Sequence, residues 1–260
     1  MDLGLTGRTA LVSGASQGIG EGIAKILAAE GCNLHLTARN ADNLRQVKAD
    51  IVRDRPVQVT VHPTDLAAAE APARLADAVG DVDILINNAG VIPGGDLQFV
   101  DEKTWRQGWE LKVFGYINVS RLFYARMKRR GRGVIINIIG NAGECFDASY
   151  IAGTSGNASL MAFTRALGGR SLDDGIRVVG INPGPVDTER IYALLRKRSR
   201  DIFGTEDRWP ELQARYPLGR PAKVSEIADL VAFLASDRSG YTSGTVFTVD
   251  GGISSRSSII

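Results

Sequence analysis

Short apolar runs recur along the chain and alternate with longer amphipathic stretches. The runs span residues 9–14, 33–38, 57–61, 82–87, 133–139, 176–182 and 245–250. They are rich in Val, Ile and Leu, which is typical of strands buried on both faces. Between the first two runs, Ile19, Ile23 and Ile26 fall on one face of a helix. This alternation predicts an α/β fold in which a parallel sheet is flanked by helices on both sides.

The strand–helix alternation continues over the whole chain. The 260 residues, 44% of them hydrophobic, suit one large α/β domain over residues 1–260. We find no linker, repeat or low-complexity tract that would divide it. One long stretch, 183–221, reads as irregular, and residues of about 185–220 are interpreted as a substrate lid, because long loops in compact domains are commonly functional.

Composition excludes several function classes. A formal charge of +2 gives no general reason to expect nucleic-acid or membrane binding. No apolar run reaches the roughly 18 residues of a membrane span, and the N-terminus lacks the features of a signal peptide. Two cysteines are too few for a disulfide framework, and no ligand cluster indicates a metal. These features predict a cytoplasmic protein that acts on a small molecule.

A glycine-rich segment, "SGASQGIG" at residues 13–20, follows the first predicted strand and opens the first helix. Its glycines are Gly14, Gly18 and Gly20. Glycine lets the backbone turn tightly and approach a diphosphate closely. The helix that follows presents free N–H groups to an anion. The segment therefore predicts a dinucleotide site, with a plain glycine-rich turn as the alternative.

The glycine spacing resembles the T-G-x-x-x-G-I-G motif of the short-chain dehydrogenase/reductase (SDR) family, with Ser13 in the threonine position. Further family motifs follow in order: "TDL" at 64–66, "NNAG" at 87–90, "INPGPVDT" at 181–188 and "VDGG" at 249–252. The resemblance covers nearly the whole chain. It implies a single doubly wound Rossmann-type domain with a mainly seven-stranded parallel sheet and its ligand at the carboxyl ends of the strands.

The resemblance also implies a set of cofactor-binding positions. In the family, the Asp of "TDL" contacts the adenine, and the Thr of "INPGPVDT" usually meets the nicotinamide amide. The residues that stand in cofactor-binding positions here are Gly14, Ser16, Gly18, Ile19, Gly20, Arg39, Asp65, Leu66, Asn87, Ala89, Gly90, Asn157, Pro183, Gly184 and Thr188.

The end of the second predicted strand indicates which dinucleotide binds. An acid there would hold the free ribose 2′-OH of NAD. This chain has "LTARN" at 36–40, so Ala38 stands at the end and Arg39 follows. A guanidinium fork can bind a 2′-phosphate, and no carboxylate would repel it. The sequence therefore predicts NADP(H) rather than NAD, with an exposed arginine on a solvated loop as the alternative.

The family's catalytic side chains are altered. Its chemistry uses a Tyr as proton donor, a Lys that lowers the pKa of this Tyr, a Ser that polarises the substrate oxygen, and an Asn that anchors a water. The family pattern V-N-x-x-G, anchored on Gly115, places Lys112 in the Asn position. The pattern of the fifth strand places Gly140 in the Ser position.

Two registers are open for the Tyr and the Lys, which lie four residues apart on one helix face. If Tyr150 is the family tyrosine, Thr154 takes the Lys position. Counting back twelve residues from Arg165 instead gives Gly153 and, four further on, Asn157. The second register agrees with the count from the fifth strand and is preferred. Neither register recovers the lysine.

A relocated site is the hypothesis that follows. Tyr150 lies three residues before Gly153, so its hydroxyl could enter the same cleft. Lys112 brings a cation that would favour the tyrosinate form, and Asn157 could still bind the ribose hydroxyls. Tyr150 and Lys112 are therefore the candidate catalytic residues. The alternatives are a packed aromatic at a helix start and a lysine that points to solvent.

Three functions remain open from the sequence. The first is an NADP(H)-dependent oxidoreductase that acts on an unknown carbonyl or alcohol through an atypical active site. The second is a catalytically inactive dinucleotide-binding homologue that serves as a sensor or partner subunit. The third is a lyase or isomerase on the same fold. By analogy with the family, we also expect a homo-oligomer, a dimer or a homotetramer.

Overall fold

In the computed structural model, which describes residues 1–256, all seven apolar runs form strands. The sheet order is β3-β2-β1-β4-β5-β6-β7, and every neighbouring pair is parallel. The predicted seven-stranded parallel sheet is thereby confirmed. The strands are β1 (Thr9–Ser13), β2 (Asn33–Ala38), β3 (Val59–Pro63), β4 (Ile84–Asn87), β5 (Gly133–Ile138), β6 (Ile176–Pro183) and β7 (Thr245–Val249).

Helices connect the strands and cover both faces of the sheet. A π-helical turn, Glu110–Phe114, joins two of them without a break. Such i→i+5 turns are rare and are frequent at functional sites. The helices are α1 (Gly18–Ala29), α2 (Ala41–Asp54), α3 (Ala71–Val79), α4 (Glu102–Trp109), α5 (Gly115–Arg130), α6 (Ile151–Gly168), α7 (Glu189–Phe203), α8 (Trp209–Gln213) and α9 (Val224–Ala235).

Two apolar clusters lie on opposite faces of the sheet. On one face, Val12 of β1 packs with Ile23 of α1 and Val231 of α9. On the other face, the neighbouring Leu11 packs with Phe123 of α5. Successive strand residues point to opposite faces, so both positions are buried and must be apolar. The continuous Val/Ile/Leu runs of the sequence follow from this double coverage.

The sheet order reverses between β1 and β4. In open α/β sheets, ligands bind in the crevice outside the carboxyl ends of the strands at such a switch point. The segments that follow β1, β4, β5 and β6 all begin at this edge. The residues singled out in the sequence therefore converge there from distant parts of the chain.

The expectation of an irregular stretch over 183–221 was wrong. Most of this stretch is helical, since it contains α7 and α8. The ring of Tyr192 on α7 meets that of Trp209 on α8 edge to face, with 5.3 Å between centroids. Leu195 and Ser199 are the buried residues of α7. Dense surface charge around this narrow buried stripe concealed the helical pattern in the sequence.

Candidate active site

The loop between β1 and α1 packs directly against the end of β4. Gly14 adopts φ +65°, and a Cβ there would stand 2.9 Å from the Cα of Ala89. A Cβ on Gly20 would stand 2.2 Å from the Gly14 carbonyl oxygen. The loop therefore needs glycine at both positions, one for its turn and one for its close packing. Ser16 and Ile19 of the same segment are half-buried.

The Ser13 side chain ties this loop to β4. Its Oγ accepts hydrogen bonds from the backbone N–H groups of Asn88 at 2.9 Å and Ala89 at 3.1 Å, and donates to the Ile86 carbonyl at 3.2 Å. In return, Asn88 Nδ2 donates to the carbonyls of Ser13 and Gly14, at 3.0 and 3.3 Å. The sequence analysis did not single out Asn88, because a role of this kind is visible only when both strand ends are placed together.

Asn87 has its side chain in a buried chain of hydrogen bonds. Its Nδ2 donates to Ser120 Oγ at 2.9 Å and to Asn137 Oδ1 at 2.8 Å, and Asn137 Nδ2 donates to Thr164 Oγ1 at 2.9 Å. These residues come from β4, α5, β5 and α6, and all four are buried. These hydrogen bonds fix the relative positions of the four elements that carry the site. Ala89 and Gly90 follow shortly after Asn87 and lie at the crevice.

The segment after β6 reaches the glycine loop from the other side. Pro183 ends β6, and a Cβ on Gly184 would stand 2.7 Å from the Cβ of Asp250. The methyl group of Thr188 lies 3.2 Å from the place of a Cβ on Gly18. The start of α7 therefore borders the same crevice as the start of α1.

The residues assigned to the adenosine half lie on the loops after β2 and β3. Arg39 is exposed, and its neighbour Asn40 accepts the N–H of Asn43 at 3.0 Å and caps α2. Asp65 is also exposed and accepts the N–H of Ala67 at 3.1 Å, whereas Leu66 is buried. An exposed guanidinium beside a helix start is free to meet an anion.

The π-helical turn carries Lys112 toward the crevice. Lys112 is half-buried, and its Nζ donates to the carbonyls of Ile139 at 2.6 Å and Ile138 at 3.3 Å. Its Cδ stands 2.3 Å from the place of a Cβ on Gly90. Burial, with a smaller contribution from the charge of Arg190, lowers the pKa of Lys112 to about 7. The solvent-pointing alternative for Lys112 is excluded.

The ring of Tyr150 fills the place of a side chain at residue 153. Tyr150 precedes the first residue of α6, and its backbone pairs with Gly95 in an isolated bridge. A Cβ on Gly153 would stand only 2.0 Å from Cζ of Tyr150. The ring of Tyr150 therefore lies where a side chain of residue 153 would be, and residue 153 is the family's tyrosine position in the preferred register.

A cation that the sequence analysis missed lies beside Tyr150. Arg190 of α7 is exposed, its Nη1 donates to the Gly90 carbonyl at 3.5 Å, and its charge acts on the Tyr150 hydroxyl. Burial raises the pKa of Tyr150, and the charge of Arg190 partly offsets this rise. The sequence assigned this electrostatic role to Lys112. Arg190 has it instead because α7 folds back over the crevice, which no local pattern in the chain indicated.

Gly140 and Asn157 lie against each other at the inner end of the crevice. Gly140 has φ +136°, a conformation that side chains rarely adopt, and a Cβ there would stand 3.0 Å from Asn157 Nδ2. Asn157 is buried, and its Oδ1 has no hydrogen-bond partner among residues 1–256. This acceptor is closed to solvent, so the feature here that fits a dinucleotide is the glycine loop at the start of α1.

Other candidate chemistries find little support around the site. Cys145 is exposed, and the histidines bond to each other instead of to it, with His35 Nδ1 and His62 Nε2 2.9 Å apart across β2 and β3. Within residues 1–256, no three His, Cys, Asp or Glu side chains are grouped as metal ligands. Over the same residues, no helix has the length and apolarity to cross a bilayer.

A known protein family matches nearly the whole sequence. A family model described as enoyl-(acyl carrier protein) reductase matches residues 14–254. The chain belongs to the short-chain dehydrogenase/reductase family. The SDR chain is similar to galactitol 2-dehydrogenase (L-tagatose-forming) of Cereibacter sphaeroides, with 35% identity over 254 residues and 95% of each chain covered.

Solved structures resemble the SDR chain over almost its full length. One is L-sorbose reductase of Gluconobacter frateurii complexed with NADPH and L-sorbose, with a TM-score of 0.90, 30% identity, and 97% and 98% of the two chains covered. Another is 7α-hydroxysteroid dehydrogenase complexed with NADH, with a TM-score of 0.87, 28% identity and 96% of each chain covered. The family thus includes NADPH and NADH complexes and very different substrates.

Proposed function

We propose that this SDR protein is an NADP(H)-dependent oxidoreductase that interconverts a carbonyl and an alcohol, with Tyr150 as the proton-bearing group. The observation that carries the proposal is the ring of Tyr150 over Gly153, with its Cζ 2.0 Å from the place of a Cβ. Where the family's own tyrosine position holds glycine, an upstream tyrosine fills the space that this glycine leaves open.

The residues around Tyr150 suit proton transfer to a substrate oxygen. NADP(H), when bound, supplies or accepts the hydride. Burial keeps the Tyr150 hydroxyl protonated at neutral pH because it raises the pKa. When this hydroxyl gives its proton to the substrate oxygen, the Arg190 guanidinium stabilises the phenolate that remains. In its ammonium form, Lys112 adds a second positive charge at the end of β5 and likewise favours negative charge on oxygen.

The remaining chain residues would hold the dinucleotide. The loop of Gly14, Gly18 and Gly20 accepts the diphosphate at the N-terminus of α1. The sequence assigns Asn157 to the ribose hydroxyls, and this contact stays a prediction because its Oδ1 is closed to solvent. We further propose that α7 and α8 form a lid over the substrate, because Thr188 before α7 lies against Gly18 and Arg190 of α7 donates to the Gly90 carbonyl at 3.5 Å.

Replacing Arg39 by alanine is expected to weaken NADPH binding about 10- to 100-fold and to leave NADH binding unchanged. A hydrogen bond to a charged group contributes about 1.5–3 kcal/mol, and only NADPH carries the 2′-phosphate. The dissociation constants of both cofactors, measured by fluorescence titration, provide the check. Arg45→Ala is the matched control, since Arg45 is an exposed arginine of α2 that pairs with Asp42. An equal loss for both cofactors would contradict the assignment.

The proposed function is tested by a panel of ketones, aldehydes and oxo acids reduced with NADPH, and of the matching alcohols oxidised with NADP⁺. We expect turnover of at least one compound, followed as the change of nicotinamide absorbance. NADPH binding without turnover of any compound would contradict the proposal and would favour the non-catalytic alternative. The homo-oligomer and the cytoplasmic location stay predictions.

A further inference from the structure

Two cations flank the same glycine at the crevice. The Cβ and Cγ of Lys112 lie 3.2 Å from the place of a Cβ on Gly90, and its Cδ lies closer. Arg190 Nη1 donates to the Gly90 carbonyl at 3.5 Å. Each cation acts on the other, since the charge of Arg190 is one of the causes that disfavour the ammonium form of Lys112. The folded chain therefore holds two like charges together at one point of the site.

Neither cation has a carboxylate partner. Fourteen ion pairs join side chains within residues 1–256, and none of them includes Lys112 or Arg190. The acids beside Arg190 in the chain are Asp187, which accepts the Tyr192 hydroxyl at 2.8 Å, and the exposed Glu189.

Arg190 is exposed, whereas Lys112 is half-buried and its Nζ donates only to the carbonyls of Ile138 and Ile139. A half-buried ammonium without a carboxylate partner is unfavourable, so an anion between the two side chains would stabilise the site.

The same anion would lie beside the reacting group, because Lys112 Nζ bonds the Ile139 carbonyl directly before Gly140, and the charge of Arg190 acts on the Tyr150 hydroxyl. We propose that the substrate carries a carboxylate that binds to Arg190 and Lys112, so that the protein acts on oxo acids and hydroxy acids. The planar guanidinium binds both oxygens of a carboxylate, and the ammonium adds a third donor. This inference rests on the proposed oxidoreductase function and names its substrate class.

A second source of negative charge is the diphosphate of the cofactor, and the test separates the two. Protein saturated with NADP⁺ is titrated calorimetrically with linear C4–C8 carboxylates, each paired with its primary amide of the same length. We expect at least one acid to bind ten or more times more tightly than its amide. Arg190→Leu is expected to abolish this preference and to leave the dissociation constant of NADPH within about threefold of the original.

Arg196→Leu is the matched control, because Arg196 is an exposed arginine of the same helix outside the crevice. It should retain the preference for acids. Equal binding of acids and amides, or a preference that survives Arg190→Leu, overturns the proposal. So does a large loss of NADPH affinity in Arg190→Leu with the acid preference intact, which would assign Arg190 to the cofactor. The titrations need no turnover, so a protein that binds the acids and reduces nothing contradicts the proposed function and not the carboxylate site.

Discussion

Replacing Tyr150 by phenylalanine is expected to lower kcat by about 10²–10⁴, which is the usual effect of losing a general acid. The phenyl ring keeps the packing over Gly153 and removes only the hydroxyl. The dissociation constant of NADPH should therefore stay the same, since the tyrosine is assigned to the substrate oxygen. The check is steady-state kinetics on the best compound of the panel, together with cofactor titration.

Tyr241→Phe is the control for this variant, because Tyr241 is 97% exposed and belongs to no part of the site. It should leave both quantities unchanged. A Tyr150→Phe enzyme with the original kcat would remove Tyr150 from the mechanism. Lys112 would then be the group to test, since its pKa of about 7 suits proton exchange at neutral pH.

Replacing Gly153 by alanine is also expected to lower kcat, although glycine carries no functional group. The added Cβ would stand 2.0 Å from Cζ and 2.1 Å from Cε1 of Tyr150, so the ring must move. The ring packs against the cluster of Ile92, Val100 and Ala152, so moving it costs about 1–3 kcal/mol of packing. Alanine offsets part of this cost, since it favours the helix by up to about 1 kcal/mol relative to glycine. We therefore expect kcat to fall at least about tenfold while the protein stays folded and Tm falls by no more than about 10 °C.

Thermal unfolding and kinetics on the same preparation provide the check. Gly115→Ala serves as the control, because Gly115 has helical angles and its added Cβ would be 3.4 Å from the nearest neighbour, an ordinary contact. In the Tyr150→Phe background, Gly153→Ala should lower kcat little further, since both changes remove the same hydroxyl. If the measured activity is lost only because part of the Gly153→Ala protein is unfolded at the assay temperature, the loss indicates misfolding and contradicts the prediction.

The sheet could be predicted well from the sequence, because its strands are buried on both faces and read as continuous apolar runs. The helices α7 and α8 could not, since only two residues of α7 are buried and its surface is crowded with charge. A pattern of hydrophobic residues identifies a helix only when a wide stripe of it faces the core.

The direction of Lys112 was open in the sequence for a different reason. A helical wheel assumes about 100° of rotation per residue, but the π-helical turn Glu110–Phe114 has one residue more than an α turn. Its side chains therefore point elsewhere than the wheel indicates. Local sequence patterns could not predict the position of Tyr150 either. Its backbone pairs with Gly95, which lies on a loop distant in sequence, and this bridge holds Tyr150 just before α6 begins.

The hydrogen bonds of Ser13 have a consequence for the entropy of association. They hold the glycine loop and the end of β4 in place in the folded chain itself. Ordering a flexible side chain on binding costs about 0.5–1.5 kcal/mol, and this loop has little left to order. The conformational entropy that the protein would lose when a dinucleotide binds is then lost mainly by exposed side chains such as Arg39. A diphosphate bound at this loop, as proposed, would meet a surface that is already shaped, and most of the adjustment would fall on the adenosine end of the dinucleotide.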